Sequence, residues 1–204
     1  MPETIHAMSA HANLFQHLNG TVSITEAEVE KMLHLAKVVR LKKKEHLFME
    51  GQVAKYVGYV NRGCLKYYRI DEAGDEHIIY FAVENWWIGD LSSFYSGQPS
   101  TFNLQALEPC ELFLYTKETF ETVRSEIPAF DQYCKIRHAK ATDARLDTMM
   151  SQRAESAEAR YLKLLHSFPD IFQRVPQHLI ASYLGIKPQS LSRIRKQMAE
   201  RRGS

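Results

Sequence analysis

The sequence predicts an α+β chain: an N-terminal β jelly-roll barrel, a long helix, and a C-terminal helical domain built on a helix–turn–helix. Three observations carry this expectation. Between Val38 and Tyr115, short runs rich in Val, Ile, Tyr, Phe and Trp are broken by turn residues at the spacing of an all-β sandwich or barrel. From Pro128 to about Met150 the pattern turns helical and long. From Pro176 to Met198, small Ala181 stands four residues before Gly185 among the aliphatics Ile180, Leu184, Ile186, Leu191 and Ile194. The boundaries that follow are a sensor domain over 1–127, a connecting helix over 128–152, and a helix–turn–helix domain over 153–204.

In order, residues 1–12 read as frayed, and helix is expected from Asn13 to about Ala36 in two pieces. Thr25 with Glu28 three residues later forms a capping box for the second piece, whose buried stripe is Val29, Met32, Leu33 and Ala36. Eight strands are expected at Val38–Leu41, His46–Met49, Tyr56–Asn61, Cys64–Ile70, Glu76–Phe81, Trp86–Ile88, Phe102–Ala106 and Cys110–Tyr115. The acidic loop Asp71–Asp75 makes a hairpin of the fourth and fifth. Thr116 caps a short helix. The long helix has two mixed rows, Phe130, Cys134, Arg137, Ala141, Ala144 and Thr148, and Ile136, Ala139, Asp143, Leu146 and Met150. One row suits the barrel and the other a second copy of the chain, although a strict coiled-coil seam is absent. Another helix runs from Ser156 to Phe168 with Ala159, Tyr161, Leu162 and Leu165 inward, and Pro169 ends it.

The C-terminal stretch suits two short helices crossing steeply. A small residue lets the backbones approach, a glycine takes the positive-φ turn, and aliphatics fill the angle. Pro188 fits the first turn of the second helix. With Leu191, Ile194 and Met198 inward, Gln189, Ser190, Ser192, Arg193 and Lys196 face out. That row has base-reading chemistry: Gln pairs with adenine, Arg with guanine, and hydroxyls and Lys hold phosphates. The competing reading is a surface helix hairpin with a solvated basic face.

Charge distribution agrees with the base-reading assignment. Net charge is +2, yet residues 153–204 hold 10 Lys/Arg against 4 Asp/Glu, while residues 1–152 hold 16 against 20. A basic end on a mildly acidic body is the footprint of a nucleic-acid-binding module carried by another domain. Cys64, Cys110 and Cys134 have no spacing for zinc, an iron–sulfur cluster or a disulfide framework. No apolar run reaches membrane-spanning length and no signal peptide is recognisable, so the expected compartment is cytoplasmic, in a bacterium or archaeon.

Barrel, long helix and helix–turn–helix together resemble the Crp/Fnr family of bacterial transcription regulators. The resemblance covers nearly the whole chain and is strongest over Phe48–Phe81, Ile88–Leu91 and Leu184–Lys196. It implies a cyclic-nucleotide-binding-like sensor, a homodimer through the long helix, and paired helices entering successive major grooves of a palindromic double-stranded operator. RNA polymerase and a small-molecule effector are further partners it implies, without a membrane. By the same resemblance Gln189 and Arg193 read base edges and Ser190 contacts the backbone. Ser192, Lys196 and Lys187 complete the expected DNA-binding set. Pro188 stands where many members carry an Arg, and Lys187 replaces the usual Ser/Thr cap, so the operator is expected to differ from the best-known half-site. The residues after Met198 are expected to be too few for the family's two-stranded wing.

In cyclic-nucleotide-binding members a Gly-Glu pair and an Arg in a following Pro-Arg-Ser/Ala run clamp ribose and phosphate. Here these read Gly89-Asp90 and Pro99-Ser100-Thr101, which supply no formal positive charge. Gly89, Asp90, Leu91, Ser100 and Thr101 are the effector-pocket candidates, with cyclic AMP disfavoured and the effector open. The aromatic cluster Tyr80, Phe81, Trp86, Trp87, Phe94 and Tyr95 reads as core. His77 in the hairpin is a weak candidate haem ligand. No metal site, catalytic residue or cofactor is expected. A cupin-like metal-dependent enzyme stays open as an alternative, although only His46 and His77 lie on strands and no His-x-His occurs. So does a protein-interaction module that does not bind DNA.

Overall fold

The computed structural model describes residues 2–202, with side chains over 11–141, at 143, and over 155–201. Its Cα packing forms two compact units, Met1–Tyr67 with Phe81–Lys140, and Tyr68–Tyr80 with Ala141–Ser204.

The first unit opens with α1 (Pro2–Asn19) and α2 (Glu26–Leu35). Helix α1 starts earlier than the sequence suggested, with Pro2 in its first turn, where a missing N–H is no loss. The Thr25 capping box forms: the Glu28 N–H donates to Thr25 Oγ1 at 3.3 Å and the Thr25 N–H donates to Glu28 Oε2 at 2.8 Å. The Thr25 N–H first, and then the Thr25 hydroxyl, which also donates to Oε2 at 2.8 Å, hold the Glu28 carboxyl below the usual glutamate range. Val29 and Met32 are fully buried and Leu33 and Ala36 pack beside them.

All eight expected strands are present: β1 (Lys37–Leu41), β2 (His46–Phe48), β3 (Val57–Arg62), β4 (Leu65–Ile70), β5 (Glu76–Ala82), β6 (Trp87–Ile88), β7 (Asn103–Ala106) and β8 (Cys110–Tyr115). They form two four-stranded sheets, ordered β1-β8-β3-β6 and β2-β7-β4-β5. The sheets do not close, which corrects the expected barrel. The edge strands β2 and β6 hold three and two residues, too few to carry a ladder across from one sheet to the other. The first sheet is antiparallel, with Val39 opposite Leu112 and Gly58 opposite Leu114.

Between strands lies α3 (Leu91–Ser96), and after β8 come α4 (Lys117–Glu126), capped by Thr116, and α5 (Pro128–Ala154). The core joins α1 and α2 to one face of the first sheet, through Val57, Tyr59, Phe113 and Tyr115, and to the root of α5. Trp87 is its hub, with ring centroids of Tyr59, Tyr115, Phe130 and Tyr133 at 5.1–6.3 Å. Tyr133, 1% exposed, shares a hydrogen with His17 Nε2 at 2.7 Å. Burial first, and the Arg137 charge second, lower the His17 pKa, so this contact is held by a neutral imidazole. Phe130 and Tyr133 settle which side of the root of α5 faces the core. Ala139, Ala141 and Asp143 are exposed, while Ala144, Leu146, Thr148 and Met150 lie outside the described side chains.

Candidate nucleic-acid interface and effector turn

The C-terminal helices are α6 (Ala157–Ser167), α7 (Ile171–Arg174), α8 (Gln177–Tyr183) and α9 (Pro188–Arg202). Ser156 caps α6 by accepting the Ala159 N–H. Inside α6 the buried pair is Tyr161 and Leu164; Leu162, expected inward, is 43% exposed. The apolar positions 161, 162, 164 and 165 offer two faces one residue apart, and packing against Phe172 of α7 selects Tyr161.

Leu179, Ile180, Ala181, Leu184, Leu191 and Ile194 are buried, as the helix–turn–helix reading requires. The turn is a Schellman motif. Gly185 takes φ +65°, its N–H donates to Ser182 O, and the Ile186 N–H donates to Ala181 O, both at 3.0 Å. The Arg160 guanidinium adds a bond to Leu184 O at 3.2 Å, so α6 also holds the turn. The Ser190 and Leu191 N–H groups donate to Lys187 O, which makes Lys187 the entry residue of α9; its ammonium has no acceptor with which to cap the helix.

One flank of α9 is anchored. Arg195 lies 5.0 Å from the Phe172 ring centroid, and Arg201 pairs with Glu158 at 2.6 Å. Its other flank is open: Lys187, Gln189, Ser192, Arg193 and Lys196 are exposed, and Ser190 is half-buried. Among the described residues, Lys187, Arg193 and Lys196 have no ion-pair partner. Unneutralised cations beside an exposed amide and hydroxyls offer donors and acceptors with nothing inside the unit to receive them. Neither α7 nor the anchoring roles of Arg160 and Arg195 was visible in the sequence; the Asp170-Ile-Phe stretch after Pro169 was the available hint of a new helical turn.

The effector turn is the opposite case. Gly89, at φ +143°, lies so close to Val57 and Tyr56 O that a side chain would crowd backbone. Asp90 caps α3: its Oδ1 accepts the Ser92 and Ser93 N–H groups at 3.1 and 3.2 Å, and its Oδ2 accepts the Ser100 hydroxyl at 2.7 Å. Asp90 and Ser100 are 9% and 3% exposed. Ser93 Oγ donates to Gln98 O and accepts the Ala54 N–H, while Ser100 O and N bond Gly51 and Gln52. Two of the five candidates, Asp90 and Ser100, thus meet, with Gly89 next to Asp90 in sequence and packed on Tyr56 and Val57. Leu91 and Thr101 face solvent. An Asp ahead of two serines is the pattern of an N-cap, and the cap agrees with the structural alternative to a clamp, a turn that holds the jelly roll together.

Other candidates resolve locally. His77 Nε2 is 2.6 Å from Asp71 Oδ2, a hydrogen bond inside the hairpin that is the first cause holding the Asp71 carboxyl below its ordinary range. Among the described residues no group of three or more His, Cys, Asp or Glu is placed to hold a metal ion, and no helix is long and apolar enough to cross a membrane.

Comparison with known proteins bears on this architecture. Residues 38–126 match the family described as the cyclic nucleotide-binding domain. A comparison with curated proteins finds no match. Among solved structures, FixK2 from Bradyrhizobium japonicum is 19% identical at a TM-score of 0.68, covering 81% of this chain and 85% of that one. The Thermus thermophilus catabolite activator protein is 19% identical, with a TM-score of 0.54 over 93% of this chain and 87% of that one. The c-di-GMP-responsive global regulator CLP of Xanthomonas campestris is 14% identical, with a TM-score of 0.63 over 86% and 92%. These likenesses are of fold. The chain therefore shares the fold of these solved structures, with residues 38–126 matching the cyclic nucleotide-binding domain family and C-terminal helices following them.

Proposed function

We propose that the protein is a dimeric, sequence-specific DNA-binding transcriptional regulator, cytoplasmic and non-enzymatic, whose sensor does not respond to cyclic AMP. One observation carries the DNA half: the open flank of α9, where Gln189, Ser192, Arg193 and Lys196 are exposed and the cations are unpaired while the opposite flank is fastened to the protein. A second helix entering the major groove with such a row reads base edges through Gln189 and Arg193 and holds phosphates through Ser190, Ser192, Lys196 and Lys187. Its working division is sensor 1–127, connecting and dimerising helix 128–152, and reading domain 153–204. Two copies address a palindrome, with RNA polymerase as a further partner.

The effector half rests on the closed turn. A cyclic phosphate needs a guanidinium or free donors, and the Ser92, Ser93 and Ser100 donors are already taken by the Asp90 carboxylate, which would also repel an anion. A small-molecule effector bound at this turn would be neutral or cationic, and the reading calls for no cofactor.

Enrichment of random duplexes by the purified protein, with and without metabolite extract, tests the reading. The expected product is a palindrome with half-sites about one helical turn apart. Absence of enrichment at every salt concentration overturns it. Titration calorimetry with cyclic AMP tests the effector half, for which no binding heat is expected.

A further inference from the structure

Strand β5 is an edge of the second sheet, so one side of its backbone lacks a neighbouring strand. The hydroxyl of Ser182, on α8, fills part of that gap. It donates to Glu76 O at 2.6 Å and accepts the Ile78 N–H at 3.3 Å. A carbonyl and an amide two residues apart on one edge are the pair that a residue of an added parallel strand would engage. One side chain therefore does what a ninth strand would do at this point. In keeping with these bonds, Tyr68–Tyr80 packs into the same compact unit as the C-terminal helices. Charge is complementary too. The hairpin brings Asp71, Glu72, Asp75 and Glu76 into a unit whose segment 153–204 carries the excess of Lys and Arg.

We propose that Ser182 is a latch by which the β4–β5 hairpin holds the helix–turn–helix in the form that presents α9 to DNA. A hydroxyl serves because it donates and accepts at once; alanine can do neither, whereas threonine keeps both. The latch leaves the reading flank uncovered, since Gln189, Arg193 and Lys196 are exposed with it closed. Its effect is to order the head in advance, so that less freedom is lost on DNA. This consequence rests on the DNA reading above; the latch itself rests only on the two hydrogen bonds.

The test uses the full chain with Ser182→Ala and Ser182→Thr, by amide hydrogen exchange without DNA and by binding to the enriched duplex and an unrelated one. Exchange at Ile78 is expected to speed up about tenfold in the alanine variant, the loss of one net hydrogen bond, and to stay at the wild-type rate with threonine. Both duplexes are expected to bind the alanine variant about three- to tenfold more weakly, with the preference between them unchanged. Equal exchange at Ile78 in all three proteins overturns the latch, as does a threonine variant that behaves like alanine. Faster exchange with unchanged or tighter DNA binding overturns its ordering role. Failure of wild type to prefer any duplex overturns the DNA reading and leaves the exchange result standing.

Discussion

The effector turn and the outer face of α9 are two polar clusters of similar make-up, and they treat their side chains in opposite ways. Around Asp90, every named donor has an acceptor inside the protein: two amides and a hydroxyl converge on one carboxylate, and Ser93 bridges two backbone segments. On α9, the amide of Gln189 and the charges of Arg193 and Lys196 stand in water while Arg195 and Arg201 of the same helix are committed inward. Residue type alone would rank both clusters as binding sites. What separates them is satisfaction: a polar group already bonded and buried maintains the fold, and one left open is available to a ligand.

This contrast can be broken. Asp90→Ala removes the acceptor of two amides and a buried hydroxyl, and is expected to cost about 2–3 kcal/mol, read from the urea midpoint. Unchanged stability would show that the turn is not closed as described. Arg193→Ala should do the reverse, leaving stability within about 0.5 kcal/mol while costing about 1–3 kcal/mol on the cognate duplex and relaxing one base pair. Loss of affinity by the same factor on every sequence would make Arg193 a phosphate contact.

His17 sharpens the comparison as a closed polar contact sensitive to one proton. Its folded pKa lies below its unfolded one, so on acidification from about pH 6.5 the unfolded chain takes the proton first and wild type loses stability through the folded pKa. His17→Gln should flatten that segment of the stability profile, and an unaltered slope would assign it to other groups. The smallest effect is expected from Lys196→Ala, which should weaken all duplexes alike and lower the salt slope by about one. A base-specific loss would move Lys196 into the base-reading set.

Much of the architecture was legible because it is written in long or repeated patterns. The eight strands lie within a residue or two of their expected bounds, since alternation and turn residues are local signals. The helix–turn–helix was legible from Ala181, Gly185 and the aliphatics because that turn tolerates few substitutes. Helices α3 and α7, six and four residues long, are too short to show a period and escaped. Open sheets in place of a barrel, Tyr161 rather than Leu162 inward, and the Arg195–Phe172 contact all depend on segments distant in sequence. At the candidate sites, identities were visible but direction was not. Asp90 and Ser100 were found together as a weakened clamp, and only their hydrogen bonds show that they face each other.

The closed turn also constrains how descendants of this chain could acquire nucleotide sensitivity. Arginine at position 100, with Asp90 still present, would meet a carboxylate before any phosphate and be neutralised in place. Replacing Asp90 first would uncap α3 and strand its donors before any compensating cation existed. Each first step is unfavourable alone and useful only with the other, so the two positions must change together. Such a regulator more readily gains new responsiveness on some other surface.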